Sequence, residues 1–168
     1  VTASDGNATI VGNLSEAKHS VAGGSSSTHG YACGGNNSGY SDMVERYAFA
    51  SDGNAVDTTQ NLLVGIRVPT SSNSTTHVYV AAGHNGSGYI NTIQKFAIDS
   101  SSHSTDVGDL DSATGNAAGT SSTTHGYMHG GYPSYRNVIK KYSFSVDGNS
   151  TDVGDLVNGV SSSSGSQH

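Results

Sequence analysis

The sequence predicts an all-β fold, a partial β-propeller built from four-stranded sheets, or blades. The first observation is a repeat, since His29, His77 and His125 lie 48 residues apart, each directly after a threonine. The second is composition: only 12% of the residues are charged, and Ser, Thr, Gly and Asn take their place, which suits short strands joined by tight turns. A period of this length with strand-like contents is typical of arrays of small sheets.

A recurring leucine sets the boundaries of the repeated units. These leucines, separated by 48, 48 and 46 residues, are Leu14, Leu62, Leu110 and Leu156. We predict the end of a preceding blade, three complete blades and the start of a following blade over residues 1–14, 15–62, 63–110, 111–156 and 157–168. Because 168 residues hold 3.5 such periods, we expect one propeller domain that is a segment of a longer chain.

The first complete unit divides into four strands by its alternation and its turns. We predict these strands over residues 19–27, 29–34, 43–50 and 55–59. In the third strand Glu45 and Tyr47 share one face while Val44 takes the other, so both faces carry apolar atoms. A sheet of this kind is expected to lie between two neighbouring sheets.

The second and third units keep this plan with two differences. The second unit has a bulky apolar segment where the first has small residues, and we predict its first strand over 63–69, with Pro69 at an edge or a bend. The third unit has a different loop, Tyr132-Pro133-Ser134-Tyr135-Arg136, after its second strand. Loops that vary on a constant frame are where binding specificity usually lies.

An Asp-Gly-Asn triplet follows the aromatic third strand and predicts hairpin turns. It begins at Asp5, Asp52 and Asp147. With a further aspartate three residues after the asparagine, Asp57 or Asp152, the triplet could also be interpreted as a calcium loop. The spacing is not that of an EF-hand and the same residues are ordinary turn formers, so we predict no metal site and keep calcium as an alternative.

Charge and cysteine content exclude several classes of function. The net charge is -6 with a pI near 5.6, and the only basic pair is Lys140-Lys141, which argues against nucleic acid as a partner. Cys33 is the single cysteine and cannot form an internal disulfide. No apolar run approaches the roughly 18 residues of a membrane span.

The second unit carries the motif by which the chain resembles a known family. Val78-Tyr79-Val80-Ala81-Ala82-Gly83 precedes a Gly/Asn/Tyr loop and the strand Ile93-Gln94-Lys95-Phe96. This pattern resembles the kelch repeat of β-propellers, although the usual tryptophan of the fourth strand is replaced by Asp-Val-Gly-Asp-Leu. The Thr-His-Gly-Tyr version is similar to kelch-like repeats in virion structural proteins of aquatic bacteriophages. The resemblance implies a particle appendage, fibre or decoration protein.

Residues that recur in every unit are explained by their structural role in the repeated blade, which we call the frame. Blade symmetry sets the three histidines apart, so we expect no shared metal, and we expect each imidazole to hydrogen-bond backbone at a blade junction. Cys33, Ala81 and His129 share one phase, which suggests a small packing slot. The predicted frame positions are His29, His77, His125, Gly34, Gly35, Gly83, Gly130, Gly131, Tyr47, Phe96 and Tyr142.

Residues that break the repeat are the candidates for function. They are loop aromatics and polar groups of the kind used in glycan or protein contacts, namely Tyr40, His84, Tyr89, Tyr132, Tyr135 and Arg136. Exposed loop filler is the alternative interpretation of the same residues. Glu16 and Glu45 are isolated carboxylates, so no catalytic cluster is visible, and we expect neither an enzyme nor a cofactor.

These observations favour a non-enzymatic virion or extracellular binding protein. Its expected partners are other virion or surface proteins, glycans, and the remaining blades, supplied by the same chain or by another subunit. Two alternatives stay open: an extracellular kelch-type carbohydrate-binding or carbohydrate-active protein, and an intracellular kelch adaptor. An adaptor would be expected to bring further interaction domains and tryptophan-bearing blades.

Overall fold

The protein consists of three antiparallel four-stranded sheets. The computed structural model describes residues 7–165. The regular secondary structure of these residues consists of β-strands alone. The first blade contains β1 (Ala22–Ser25), β2 (His29–Cys33), β3 (Met43–Ala48) and β4 (Val56–Asn61). The second contains β5 (Thr70–Asn73), β6 (His77–Ala81), β7 (Ile90–Ala97) and β8 (Thr105–Thr114). The third contains β9 (Ala118–Ser121), β10 (His125–His129), β11 (Arg136–Ser143) and β12 (Thr151–Val160).

Within each blade the four strands pair in chain order, as an antiparallel meander. The first strands β1, β5 and β9 lie side by side, so the three blades share a common axis and form part of a ring around it. The predicted all-β, partial-propeller fold is confirmed. Among the described residues, no helix is long and apolar enough to cross a membrane.

The repeat of the sequence is also a repeat of backbone conformation. Just before each first strand, one residue adopts a positive φ of 51–60°, whether it is Ser20, Val68 or Asn116. At the end of each second strand, the last glycine has φ near 110°. That glycine is Gly35, Gly83 or Gly131, at a conformation that residues with a Cβ rarely adopt.

The predicted first strand of the second blade is wrong. The segment 63–69 is irregular, and β5 begins only at Thr70. Val68 has φ 51° and Pro69 has no backbone N–H, so neither can continue a regular ladder. The apolar character of the segment has another cause, because Ile66 is fully buried in the core between the first two blades.

In the second and third blades the outermost strand extends past the leucine that was used as a unit boundary, whereas β4 ends at Asn61, just before Leu62. β8 continues to Thr114 and β12 to Val160, each four residues beyond the leucine. The irregular segment between the second and third blades therefore begins later than the sequence suggested. Residues 1–6 and 166–168, which belong to the predicted flanking pieces, lie outside the described residues.

Two apolar cores lie between the blades, one at each junction. At the first junction Tyr31 of β2 packs edge-on against Phe96 of β7, with ring centroids 5.8 Å apart. At the second junction Tyr79 of β6 packs against Tyr142 and Phe144, at 5.9 and 4.7 Å. The middle blade is thus covered on both faces, as was expected of every blade, whereas the described residues cover the first and third blades on one face each.

A buried polar side chain on each third strand anchors the connection between blades. At equivalent register positions these side chains are Glu45, Gln94 and Lys140, all at most 1% exposed. The connecting residues that they bind are again 48 residues apart: Ser15, Leu63 and Asp111. The backbone N–H groups of Ser15 and Leu63 donate to Glu45 Oε1 (2.6 Å) and Gln94 Oε1 (2.8 Å), whereas Lys140 forms an ion pair with Asp111. Three different residues therefore have the same structural role, which is to bind the segment before the first strand.

The outermost strands are interrupted by a local bulge. In β8 the Asp106 carboxylate accepts a hydrogen bond from the N–H of Gly108 at 3.0 Å, and Asp152 and Gly154 repeat this contact in β12. The pairing register shifts at the same places, between residues 93 and 94 and between residues 139 and 140. The bulge leaves the outer edge of these blades irregular.

A glycine near the start of the second strand makes room for a cross-strand aromatic ring. A Cβ on Gly126 would lie 2.4 Å from Ser72 Oγ and 2.5 Å from the Tyr142 ring. We therefore expect Gly126→Ala to lower the free energy of unfolding by about 1–3 kcal/mol, measured by urea denaturation. Gly148→Ala is the control, because a Cβ there meets no atom within 4 Å. Equal midpoints for the two variants would contradict this packing.

Candidate functional site

The residues that break the repeat are concentrated at one end of the blades. At this end the second strand of each blade passes into the third, through residues 34–42, 82–89 and 130–135, which we call the loop surface. The residue after Gly35, Gly83 or Gly131 forms a short bridge with the residue three positions before the first strand of the same blade. Arg67 pairs with His84 in this way, and Gly115 pairs with Tyr132. These bridges fix the loops relative to the strands.

Four aromatic side chains of the loop surface form a continuous row across all three blades. His84 stacks on Tyr40 with ring centroids 5.7 Å apart and an interplanar angle of 22°. Tyr89 meets His84 edge-on at 5.0 Å, and Tyr132 meets Tyr89 at 5.7 Å. We call Tyr40, His84, Tyr89 and Tyr132 the aromatic ladder. Its two ends are the most accessible, since Tyr40 is 38% and Tyr132 43% exposed.

Arg67 adds a positive charge to one end of the aromatic ladder. Its guanidinium carbon lies 5.7 Å from the centre of the Tyr40 ring, within the range of a cation–π contact. Its Nε is buried and makes no hydrogen bond among the described residues. Sequence reasoning missed this residue because it was assigned to a strand. The signal was present, since Arg67 differs from His19 and Gly115 at the same phase.

Local hydrogen bonds hold the middle of the aromatic ladder in place. The Nδ1 of His84 accepts a hydrogen bond from the N–H of Gly86 at 3.0 Å, which leaves the proton of the neutral ring on Nε2. The side-chain oxygen of Asn85 accepts from Ser87 and Gly88 in the same loop. The His84 ring is thus oriented by its own loop, with a second nitrogen able to donate.

Two of the six predicted binding residues lie apart from the aromatic ladder. Tyr135 is 67% exposed and makes no ring contact among the described residues. Arg136 is engaged by its own frame, because Nη1 donates to Ser112 Oγ at 2.7 Å and Nη2 to the Ala113 carbonyl at 3.5 Å. The structure therefore brings together Tyr40, His84, Tyr89 and Tyr132 and leaves the other two aside.

The ring of histidines bonds differently from the prediction. Each imidazole Nδ1 contacts the hydroxyl of the threonine before it, at 2.8–2.9 Å, instead of backbone at a blade junction. The threonine is adjacent in sequence, so its hydroxyl lies within hydrogen-bond distance of the ring. Burial, followed by the charge of Lys95, holds the pKa of His77 below its usual value. His29, His77 and His125 thus each bind within their own blade.

The acidic and amide groups of the turns are engaged in hydrogen bonds that build the frame. Asn54 and Asn149 accept through Oδ1 from the backbone of the preceding outer segment, at Asn13 (3.0 Å) and Asp109 (2.9 Å). Asp57 accepts from the N–H of Thr59 at 2.8 Å. Within residues 7–165, no three His, Cys, Asp or Glu side chains gather as metal ligands.

The shared phase of Cys33, Ala81 and His129 is a packing position. Cys33 and Ala81 are fully buried at the two junctions, and burial raises the pKa of the Cys33 thiol to about 12. A thiol of this kind is neutral at physiological pH and unreactive. His129 occupies the same position on the third blade, where it is half-buried.

Comparison with known proteins identifies the fold and nothing finer. No protein family matches the sequence, and no curated protein matches it either. Among 128 matching chains of solved structures is the protein described as "Structure of YjhT", with a TM-score of 0.70 and 12% sequence identity. The alignment covers 86% of this chain and 54% of that chain, so the present chain spans about half its length. At this identity the likeness shows a shared all-β fold.

Proposed function

We propose that this chain is a non-enzymatic structural and binding β-propeller with kelch-like blades, which contacts proteins or host-surface glycans through its loop surface. One observation carries the proposal: polar groups that recur in every blade are engaged in the frame, whereas the repeat-breaking residues converge in the aromatic ladder. Aromatic and arginine side chains at an accessible surface are the groups that most often anchor binding partners.

The kelch-like identity and the virion setting rest on sequence resemblance. The glycine pair after the second strand of the first and third blades supports the kelch-like identity, because it has the same conformation in both. In the proposed virion appendage, fibre or decoration protein, the recurring blades serve as the frame and the variable loops make the contacts. The location is tested by immunogold labelling of purified particles, which would label in this case and stay unlabelled for a cellular protein.

The carbohydrate-binding alternative is favoured by the aromatic ladder itself. Aromatic rings can contact the apolar face of a sugar ring, and Arg67 and the Nε2–H of His84 are donors suited to hydroxyl groups. The two functions share one surface and differ in ligand. Assays of glycan turnover and of bound metal on the purified protein separate this binding role from a carbohydrate-active enzyme.

The test of the proposal measures binding with substitutions at the accessible ends of the aromatic ladder. We expect Tyr40→Ala and Tyr132→Ala to weaken binding to a glycan array or to purified capsid and tail proteins by about tenfold or more, as for anchoring aromatic side chains. Val146→Ala is the control, because Val146 is also exposed but lies beyond the end of β11 that is far from the loop surface. An equal loss in all three variants, or in none, would overturn the assignment.

A further inference from the structure

The face of the third blade that points away from the second blade is an unoccupied copy of a junction face. In each blade, four equivalent positions face the following blade, and we call them the trailing face. In the first two blades these residues are at most 4% exposed: Tyr31, Cys33, Val44 and Leu62, and Tyr79, Ala81, Ile93 and Leu110. In the third blade they are half-buried: Tyr127, His129, Ile139 and Leu156. None of the described residues forms a further blade over them.

The opposite face of the first blade is a copy of the surface that a trailing face contacts. This leading face carries two aromatic or apolar residues at the end of the third strand. They are Phe96 and Ile98 in the second blade and Tyr142 and Phe144 in the third. The equivalents in the first blade are Tyr47 and Phe49, placed by the same register, and they are 42% and 55% exposed.

Polar contacts give each junction a fixed register. The hydroxyl of Tyr31 donates to the Ile98 carbonyl at 3.2 Å, and Tyr79 repeats this bond to Phe144 at 3.3 Å. At the second junction Lys95, which lies opposite Tyr79, forms an ion pair with Asp147 at 2.6 Å.

The two open faces hold the same complementary groups. Lys141 lies opposite Tyr127 on the third blade, as Lys95 lies opposite Tyr79. Asp52 begins the same Asp-Gly-Asn triplet on the first blade as Asp147 does on the third. We propose that the trailing face of the third blade binds the leading face of the first blade of a second copy, head to tail. Tyr127 then packs against Tyr47 and Phe49 of the second copy, and Lys141 pairs with its Asp52.

Short segments of the chain show where the strands of the second copy would lie. Residues 11–14 stand in the place of a preceding outer strand, because Asn13 pairs with Asn54 and Ala55 as Asp109 does with Asn149 and Ser150. They are held by three hydrogen bonds of 2.8–3.0 Å and are largely exposed. Docking exchanges them for the complete strand β12 of the second copy. At the other open face Ser162 bonds to Asn116 as Asn116 bonds to Val68, and the lead-in to β1 replaces it.

The proposal is independent of the aromatic ladder, which lies on the loop surface. Its test uses light scattering coupled to size-exclusion chromatography on the purified chain and two variants, one for each face. We expect the unaltered chain to form concentration-dependent oligomers. Leu156→Asp removes the trailing face and Phe49→Asp the leading face, so each variant alone is expected to be monomeric. An equimolar mixture keeps one intact face of each kind and is expected to give a dimer and nothing larger. Tyr135→Asp, on the loop surface, is the control and should oligomerise as the unaltered chain does.

Several results would overturn the head-to-tail contact. An unaltered chain that stays monomeric at all concentrations would do so. A longer polypeptide whose further blades cover the trailing face would also do so. A Phe49→Asp variant that still dimerises alone would indicate contact between two trailing faces. If an aspartate in either face prevents folding, as judged by circular dichroism, Lys141→Asp and Asp52→Lys replace the two variants. Each charge reversal alone should prevent assembly, and mixing the two should restore it, because every contact between unlike variants then joins a lysine to an aspartate.

Discussion

Replacing Lys18 by methionine is expected to lower the free energy of unfolding by about 3–5 kcal/mol, because it leaves the Glu45 carboxylate buried without its partner. The side chains of Lys18 and Glu45 are both 0% exposed and form an ion pair. Urea denaturation at neutral pH measures the loss. A change below about 1 kcal/mol would mean that water reaches Glu45 in solution.

The equivalent position in the second blade supplies the matched rescue. Gln94 holds the Leu63 N–H with a neutral amide, in the place where Glu45 holds Ser15. The double variant Lys18→Met, Glu45→Gln therefore has no charge to bury, and we expect it to unfold within about 1 kcal/mol of the original chain. A double variant as unstable as the single one would show that the charge is not the cause.

The same ion pair makes stability depend on pH. Burial on its own raises the pKa of Glu45, but the hydrogen bonds from Lys18 and Ser15 outweigh it, and the pKa is lowered. A lowered folded-state pKa means that the stabilisation is present above the unfolded value of about 4.3 and is lost as the pH falls through the folded value. We expect a shallower acid loss in the double variant than in the original chain.

Tyr79→Ala is expected to lower the free energy of unfolding by about 3–5 kcal/mol, the range for removing a large aromatic side chain from a core. Tyr79 is 1% exposed and joins the second and third blades through Tyr142 and Phe144. Its hydroxyl also donates to the Phe144 carbonyl, and burial raises its pKa to about 12. The loss should appear in both thermal and urea unfolding.

Two further variants separate the ring of Tyr79 from its hydroxyl. Tyr79→Phe keeps the packing and removes one hydrogen bond, so the expected loss is about 0.5–1.5 kcal/mol. Tyr135→Ala removes an exposed ring that makes no contact with the core and should change stability by less than about 0.5 kcal/mol. A Tyr79→Ala variant no worse than Tyr135→Ala would contradict a packed junction between the blades.

The fold could be predicted from the sequence because the period fixes the phase of every strand. His29, His77 and His125 each begin a second strand, and the glycine after the strand has one conformation in all three blades. The prediction failed where hydrophobicity was preferred to the period. Shifting β1 by 48 residues places β5 at Thr70, whereas the apolar segment before it is bulky because Ile66 fills a core.

The candidate site was predictable in its members and not in its geometry. Tyr40, His84, Tyr89 and Tyr132 could be selected because they break the repeat. Their contacts cross from one blade to the next, so they depend on how the blades are placed, which the sequence does not encode locally. Arg136 also broke the repeat, yet its guanidinium is taken up by Ser112 and Ala113.

The bulges at Gly108 and Gly154 affect how readily chains of this kind aggregate at high concentration. Tandem copies of one sequence present nearly identical outer strands, which could join one another edge to edge into insoluble aggregates. Positive φ at these glycines and the adjacent aspartates interrupt the straight row of free N–H and C=O groups that such joining needs. We therefore expect the bulges of β8 and β12 to oppose such edge-to-edge joining of neighbouring molecules.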